Sequence, residues 1–204
     1  MKFPYWIASA ALAAATLAAC GSSPALRYYA LDAVTPVGSA THPALPAPIR
    51  VRHISLPHEM DHLGLTHHLG PTQFAISDTD QWSAPLATLI QETITRDLGE
   101  RLGYDQVVAP DSLPVAPHPG AEPPGVHVST QAALDLDFVS LSADDACGIT
   151  AQVNWTLSVP NGAPRHGTAA LTAPATACPA GLPAALSAAL GALADQLIQP
   201  MGSP

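Results

Sequence analysis

His58-Glu59-Met60-Asp61-His62 spells H-E-x-x-H, the pattern in which two histidines one helical turn apart hold zinc and the glutamate serves as general base. That chemistry needs all five residues inside a stable helix. Pro57 precedes them, Gly64 and Gly70-Pro71 follow closely, and only Met60, Leu63 and Leu65 are apolar nearby. A helix of about two turns without a cap or an apolar stripe is a poor ligand platform. The extended form of the motif also asks for glycine at position 65, which is leucine, although His68 stands at the right distance. The segment reads as a polar turn with surface histidines, to which His53, His67 and His68 add adventitious metal affinity at most. No G-x-S-x-G elbow, phosphate-binding loop or Rossmann glycine run occurs, and the one lysine is Lys2. Asp135, Asp137, Asp144 and Asp145 alternate onto a solvated strand face rather than forming a paired-carboxylate site. The expectation is a protein that is not an enzyme, with no catalytic residue, no metal and no cofactor.

Three cysteines carry the remaining chemistry. Lys2 supplies a positive n-region, and Tyr5 to Ala19 is an unbroken apolar and small-residue run. Fifteen residues at about 1.5 Å each fall short of a hydrocarbon core of about 30 Å, so the run reads as a signal peptide over residues 1–19. It ends in Leu17-Ala18-Ala19-Cys20-Gly21, which resembles the lipobox of bacterial lipoproteins. There the cysteine sulfur takes a diacylglyceryl thioether, and cleavage before it frees an amine for a further chain such as palmitate. Cys20 is the expected lipidation site, residues 20–26 the lipidated tether, and 27–204 one domain. Gly21 is not the aspartate that resembles an inner-membrane retention signal, so the expected location is the periplasmic leaflet of the outer membrane. Cys147 and Cys178 are then left as a pair, which in an oxidising compartment is most simply a disulfide, with two buried thiols the alternative.

The elements that must position these groups follow from periodicity. With the leader removed, six arginines face 16 acidic residues, a net charge of −10, and no basic stripe exists for nucleic acid. Arg27 to Leu31 and Arg50 to Ser55 read as strands, and Leu65–Leu69 with Gln73–Ser77 as a hairpin about Gly70-Pro71. Leu86, Leu89, Ile90, Ile94, Leu98 and Leu102 make one apolar stripe, predicting a helix with Asp80 as N-cap, Pro85 in its first turn and Gly103 as its stop. Gln106 to Ala109 is a short strand candidate. Apolar residues then fall on even numbers from Val126 to Phe138, on odd numbers from Ile149 to Val159, and at Ala169, Leu171 and Ala173 after Pro160-Asn161-Gly162. That is an antiparallel meander wet on one face. Leu186, Leu190, Leu193 and Leu197 mark a last helix, which covers the sheet or pairs with another subunit. The predicted class is α+β: one largely antiparallel sheet with two amphipathic helices.

Behind the lipobox stand Tyr28-Tyr29-Ala30-Leu31, then Val51 to Pro57, then Met60-Asp61-His62, and after the hairpin Asp80-Gln81-Trp82-Ser83-Ala84-Pro85-Leu86. This order resembles the ABC-type transport auxiliary lipoproteins, typified by the paraquat-inducible lipoprotein C. In that family a strand ending Leu-Pro leads to a Leu-Asp-Arg-like turn, and Trp-x-x-Pro-Leu opens the helix. Here Leu56, Pro57, Asp61, Trp82, Pro85 and Leu86 match, Met60 stands for the leucine and His62 for the arginine. The likeness covers residues 20–105 well and the remainder only in element order.

The resemblance implies a subunit that partners an MCE (mammalian cell entry) domain protein and, through it, a permease and an ATPase that move lipid between membranes. It also implies membrane attachment through the lipid anchor alone, and allows a ring-like homo-oligomer. The matched residues would serve packing or docking, and Trp82 reads first as a core anchor for the helix start. Two other readings compete: a stand-alone periplasmic lipoprotein that binds an apolar ligand in a groove between sheet and helices, and a zinc hydrolase built on His58-Glu59-x-x-His62.

Overall fold

A computed structural model describes residues 24–36, 45, 47–110, 112, 131–160 and 162–201. The signal peptide, Cys20, most of the tether and the predicted strand start at Val126 and Val128 lie outside the described residues. In chain order the elements are β1 (Arg27–Tyr29), β2 (Ile49–Ser55), β3 (Gly64–Gly70), β4 (Gln73–Trp82), α1 (Leu86–Leu102), a 3-10 turn (Tyr104–Gln106), β5 (Val107–Val108), β6 (Ala132–Ala143), β7 (Ile149–Ser158), β8 (Arg165–Ala173) and α2 (Leu182–Met201). The class is α+β, with two mixed sheets where one largely antiparallel sheet was predicted.

The first sheet has the order β1-β4-β3 and the second β5-β2-β6-β7-β8. β6, β7 and β8 form the predicted antiparallel meander. β2 instead pairs in parallel with both β5 and β6. The hairpin and α1 lie between β2 and those partners, and so long a crossover returns the chain in the same direction. β1 likewise lies parallel to β4, with Arg27 opposite Asp80 and Tyr29 opposite Trp82.

Alternation places Leu134, Leu136 and Phe138 on one face of β6, and Ala151, Val153 and Leu157 on the same face of β7. A register shift between Phe138 and Ser140 then swaps the parity, so Leu141 and Ala143 point inward while Val139 is exposed. Trp155 lies opposite Gly167, where an added Cβ would stand 2.6 Å from the indole ring. Both helices cover this one face. Ile90, Ile94 and Leu98 of α1 and Leu186, Leu190, Leu193 and Leu197 of α2 complete one continuous core. The last helix thus closes the sheet of its own chain.

α1 ends at the predicted stop, but it starts at Leu86, later than a cap at Asp80 with Pro85 in the first turn would place it. Pro85 is its N-cap residue without a side-chain cap, and Gly103 (φ +95°) ends it by donating its N–H to the Gly99 carbonyl at 2.9 Å. Asp80, predicted as the N-cap, belongs to β4 and is 3% exposed. The carboxylate caps nothing because Arg27 and Tyr29 of the neighbouring strand claim it first.

Candidate functional site

Leu56 and Pro57 follow β2 half-buried, and the chain then turns through Met60 N–H to the Pro57 carbonyl (2.9 Å) and Asp61 N–H to the His58 carbonyl (3.3 Å). Met60 is driven into the core at 2% exposed, while His58, Glu59, Asp61 and His62 face solvent. This turn is not a helix. The two histidines therefore lack the one-turn spacing that a zinc hydrolase needs.

After the hairpin, the Trp82 N–H donates to the Leu63 carbonyl at 2.7 Å and the Ser83 N–H to the Tyr29 carbonyl at 2.8 Å. Trp82 and Leu86 are 2% and 1% exposed, so the Trp-x-x-Pro-Leu segment is a packing device. Pro85 and Asp61 stay at the surface. The six matched residues thus divide into a buried pair, the half-buried Leu56 and Pro57, and an exposed pair.

Beneath Trp82, Asp80 accepts from Arg27 (2.9 Å), Tyr29 Oη (2.9 Å) and Ser77 Oγ (3.1 Å). Burial alone would raise its pKa, but the hydrogen bonds from Arg27, Tyr29 and Ser77 with the Arg27 charge overcome that and hold it below the ordinary carboxylate range. This cluster fastens the first strand, and so the end of the tether, to the hairpin.

A second charged knot joins the two helices. Arg101, 3% exposed, donates from Nε to Asp195 at 2.6 Å and from Nη1 and Nη2 to the carbonyls of Val34 and Gly191, each at 3.0 Å. Asp97 Oδ1 accepts the Val34 N–H at 2.8 Å and lies 3.3 Å from Arg101 Nη1, while its Oδ2 is buried without a hydrogen-bond partner. Desolvation raises the Asp97 pKa to about 6, against the lowering pull of the Val34 N–H and the nearby arginines. None of this lay in the apolar stripe from which α1 was predicted.

Cys147 and Cys178 form a disulfide with Cα atoms 5.1 Å apart. Cys147 adopts φ +64° in a tight turn in which Asp144 accepts N–H bonds from Ala146 (3.0 Å) and Gly148 (2.8 Å). His67 lies beside the two sulfurs, with potential ligand atoms of all three residues within 4.8 Å. The sulfurs are spent on each other, so the group offers a metal only the imidazole. Asp135 is held by Arg52 in a two-point ion pair and Asp137 is exposed, so the acidic residues of β6 do not converge on a site.

One open groove of about 770 Å³ runs along α1 between Leu31, Leu89, Val107 and Tyr104, with Glu92 and Arg96 on its wall. Its mixed lining could hold the apolar part of an amphiphile.

Taken together, Trp82, Leu86 and the buried charges join a terminal strand, a hairpin and two helices, while Asp61 and Pro85 remain at the surface. The chain belongs to the family of ABC-type transport auxiliary lipoprotein components, whose model matches residues 29–198. Two crystal structures share the fold. One, of an uncharacterized protein, has a TM-score of 0.66 at 14% identity and covers 87% of this chain and 99% of its own. The other, of a DUF330 protein from Xanthomonas campestris, has a TM-score of 0.54 at 16% identity and covers 84% and 92%. A comparison with curated proteins finds no match.

Proposed function

We propose that this protein is the outer-membrane-anchored periplasmic subunit of an MCE-type ABC lipid transport system, in which it acts as a docking and structural component. The observation that carries the reading is the family match over residues 29–198. The commitment of Trp82 and Leu86 to the core agrees with it, leaving the exposed Asp61 and Pro85 as the matched residues available to a partner. Partners in this reading are the MCE-domain protein and, through it, the permease and ATPase; the copies of the lipoprotein can also assemble with one another. The test is capture of an MCE-domain protein from the same cells, using the lipidated protein in detergent. Co-purification that weakens with Asp61→Lys and Pro85→Asp is expected, and no co-purification of the wild type would overturn the reading.

A second reading is favoured by the groove along α1, whose volume of about 770 Å³ suits a lipid chain with its headgroup near Arg96. A lipid that stays with the purified monomer through native mass spectrometry would support it.

A further inference from the structure

β1 runs parallel to β4, with Arg27 opposite Asp80, so the N-terminal end of β1 faces the end of β4 where the hairpin turns. Cys20 lies seven residues before Arg27, and Gln73, the first residue of β4, lies seven before Asp80. Chain geometry limits that tether to about 25 Å. An anchor on Cys20 therefore holds the bilayer within reach of the hairpin tip.

That tip is unusual for a body carrying sixteen acidic residues. Between Asp61 and Asp78 there is no acidic side chain; the acidic turn Asp144-Asp145 stands beside the hairpin at His67, through Cys147. Leu69, Phe74 and Ile76 are 53%, 43% and 42% exposed. Phe74 and Ile76 share one face of the hairpin, with the His68 ring against Phe74 at 6.3 Å, and Leu69 stands at the register shift between His68 and Gly70, beside the turn. The occupant follows from reach: the seven residues from Cys20 to Arg27 keep these exposed side chains beside the bilayer that an anchor on Cys20 would enter.

We propose that the tip of the β3–β4 hairpin is a membrane-contact element, whose Leu69, Phe74 and Ile76 enter the interfacial layer of the bilayer that holds the Cys20 anchor. The inference rests on the lipid-anchor reading and adds to it a fixed orientation: hairpin tip against the lipid, C-terminal end of α1 away from it. The opposite end is identified by the chain after β1, where the Leu31 carbonyl accepts from Arg96 and the Val34 carbonyl from Arg101, so the C-terminal half of α1, and Tyr104 after it, lies at the end of β1 away from the tip.

The experiment uses the full lipidated protein purified from envelopes and reconstituted in phosphatidylethanolamine–phosphatidylcholine vesicles carrying brominated acyl chains. Phe74→Trp and Leu69→Trp probe the tip and Tyr104→Trp the opposite end; native Trp82 and Trp155 are buried and give the background. Expected is at least about twofold quenching of the tip tryptophans, with wild type and Tyr104→Trp unchanged, as for side chains seated about 5–10 Å into the interface. Tip tryptophans quenched no more than Tyr104→Trp, in protein that floats with the vesicles and shows an unchanged circular dichroism spectrum, would overturn the inference alone. So would photo-crosslinking of position 74 to a second copy in place of lipid. Absence of acyl chains from the Cys20 peptide by mass spectrometry would overturn the anchor, and this inference with it.

Discussion

Trp82 and Glu59 stand in neighbouring parts of the matched motif, but burial separates their roles. Trp82 is 2% exposed beneath the start of α1, so Trp82→Ala should cost about 3–5 kcal/mol through the cavity it leaves. Glu59 is exposed on the turn after β2, and Glu59→Ala should fall within about 0.5 kcal/mol of wild type. Urea denaturation of the two variants checks both values, and an envelope-integrity complementation assay should rank them in the same order. Asp97 makes a pH-dependent case. Its pKa of about 6 in the folded protein exceeds the ordinary 3.8, so between those values the unfolded chain ionises first. Stability contributed at this site is therefore complete below about pH 4 and falls as pH rises to about 6, by up to about 3 kcal/mol. Asp97→Asn removes that slope and keeps an acceptor for the Val34 N–H. Denaturation midpoints from pH 4 to 7 should show the variant gaining on wild type as pH rises, levelling off above about pH 6.

Elements whose periodicity is local were legible in the sequence. The odd-numbered apolar residues from Ile149 to Leu157 lie in β7, and the stripe from Leu86 to Leu102 forms α1, because a pleat and a 3.6-residue turn each impose their own spacing. What the pattern does not carry is which strand lies beside which. The parallel pairing of β1 with β4 and of β2 with β6 joins residues some fifty to eighty positions apart, so strand patterns that predict one largely antiparallel sheet do not reveal the division into two mixed sheets. Asp80 failed for the same reason: its position before a helix suggests a cap, and only the arrival of Arg27 and Tyr29 turns it into a strand anchor. The candidate site was legible where it packs, at Trp82 and Leu86, and hidden where it depends on long-range charge, at Arg101 and Asp97. The disulfide belongs to this scale, since it ties the β6–β7 turn to the loop before α2 across a separation of 31 residues. By loop-closure entropy its reduction, or Cys147→Ser with Cys178→Ser, should remove about 3–4 kcal/mol. Denaturation with and without a thiol reductant measures this, and the double variant should be insensitive to the reductant.

At the scale of the whole molecule the question is what keeps so acidic a body on a membrane. Residues 20–204 carry six arginines against sixteen acidic residues, so anionic lipid repels them and screening by salt only relieves that repulsion. Among the described residues no helix is long and apolar enough to cross a membrane. The exposed side chains at the hairpin tip offer at most a few kcal/mol, about what one short acyl chain gives, and a single such chain binds membranes only marginally. In the lipid-anchor reading, three chains on Cys20, at about 0.8 kcal/mol for each buried methylene, would exceed that many times over. Orientation would then be the hairpin's contribution and residence the anchor's. Cys20→Ala should accordingly leave the protein uncleaved or mislocalised, although residues 27–204 fold as before. Fractionation of the envelope and the mass of the N-terminal peptide measure this outcome. A Cys20→Ala protein of mature size that still sediments with the outer membrane would show that the body holds the membrane by itself.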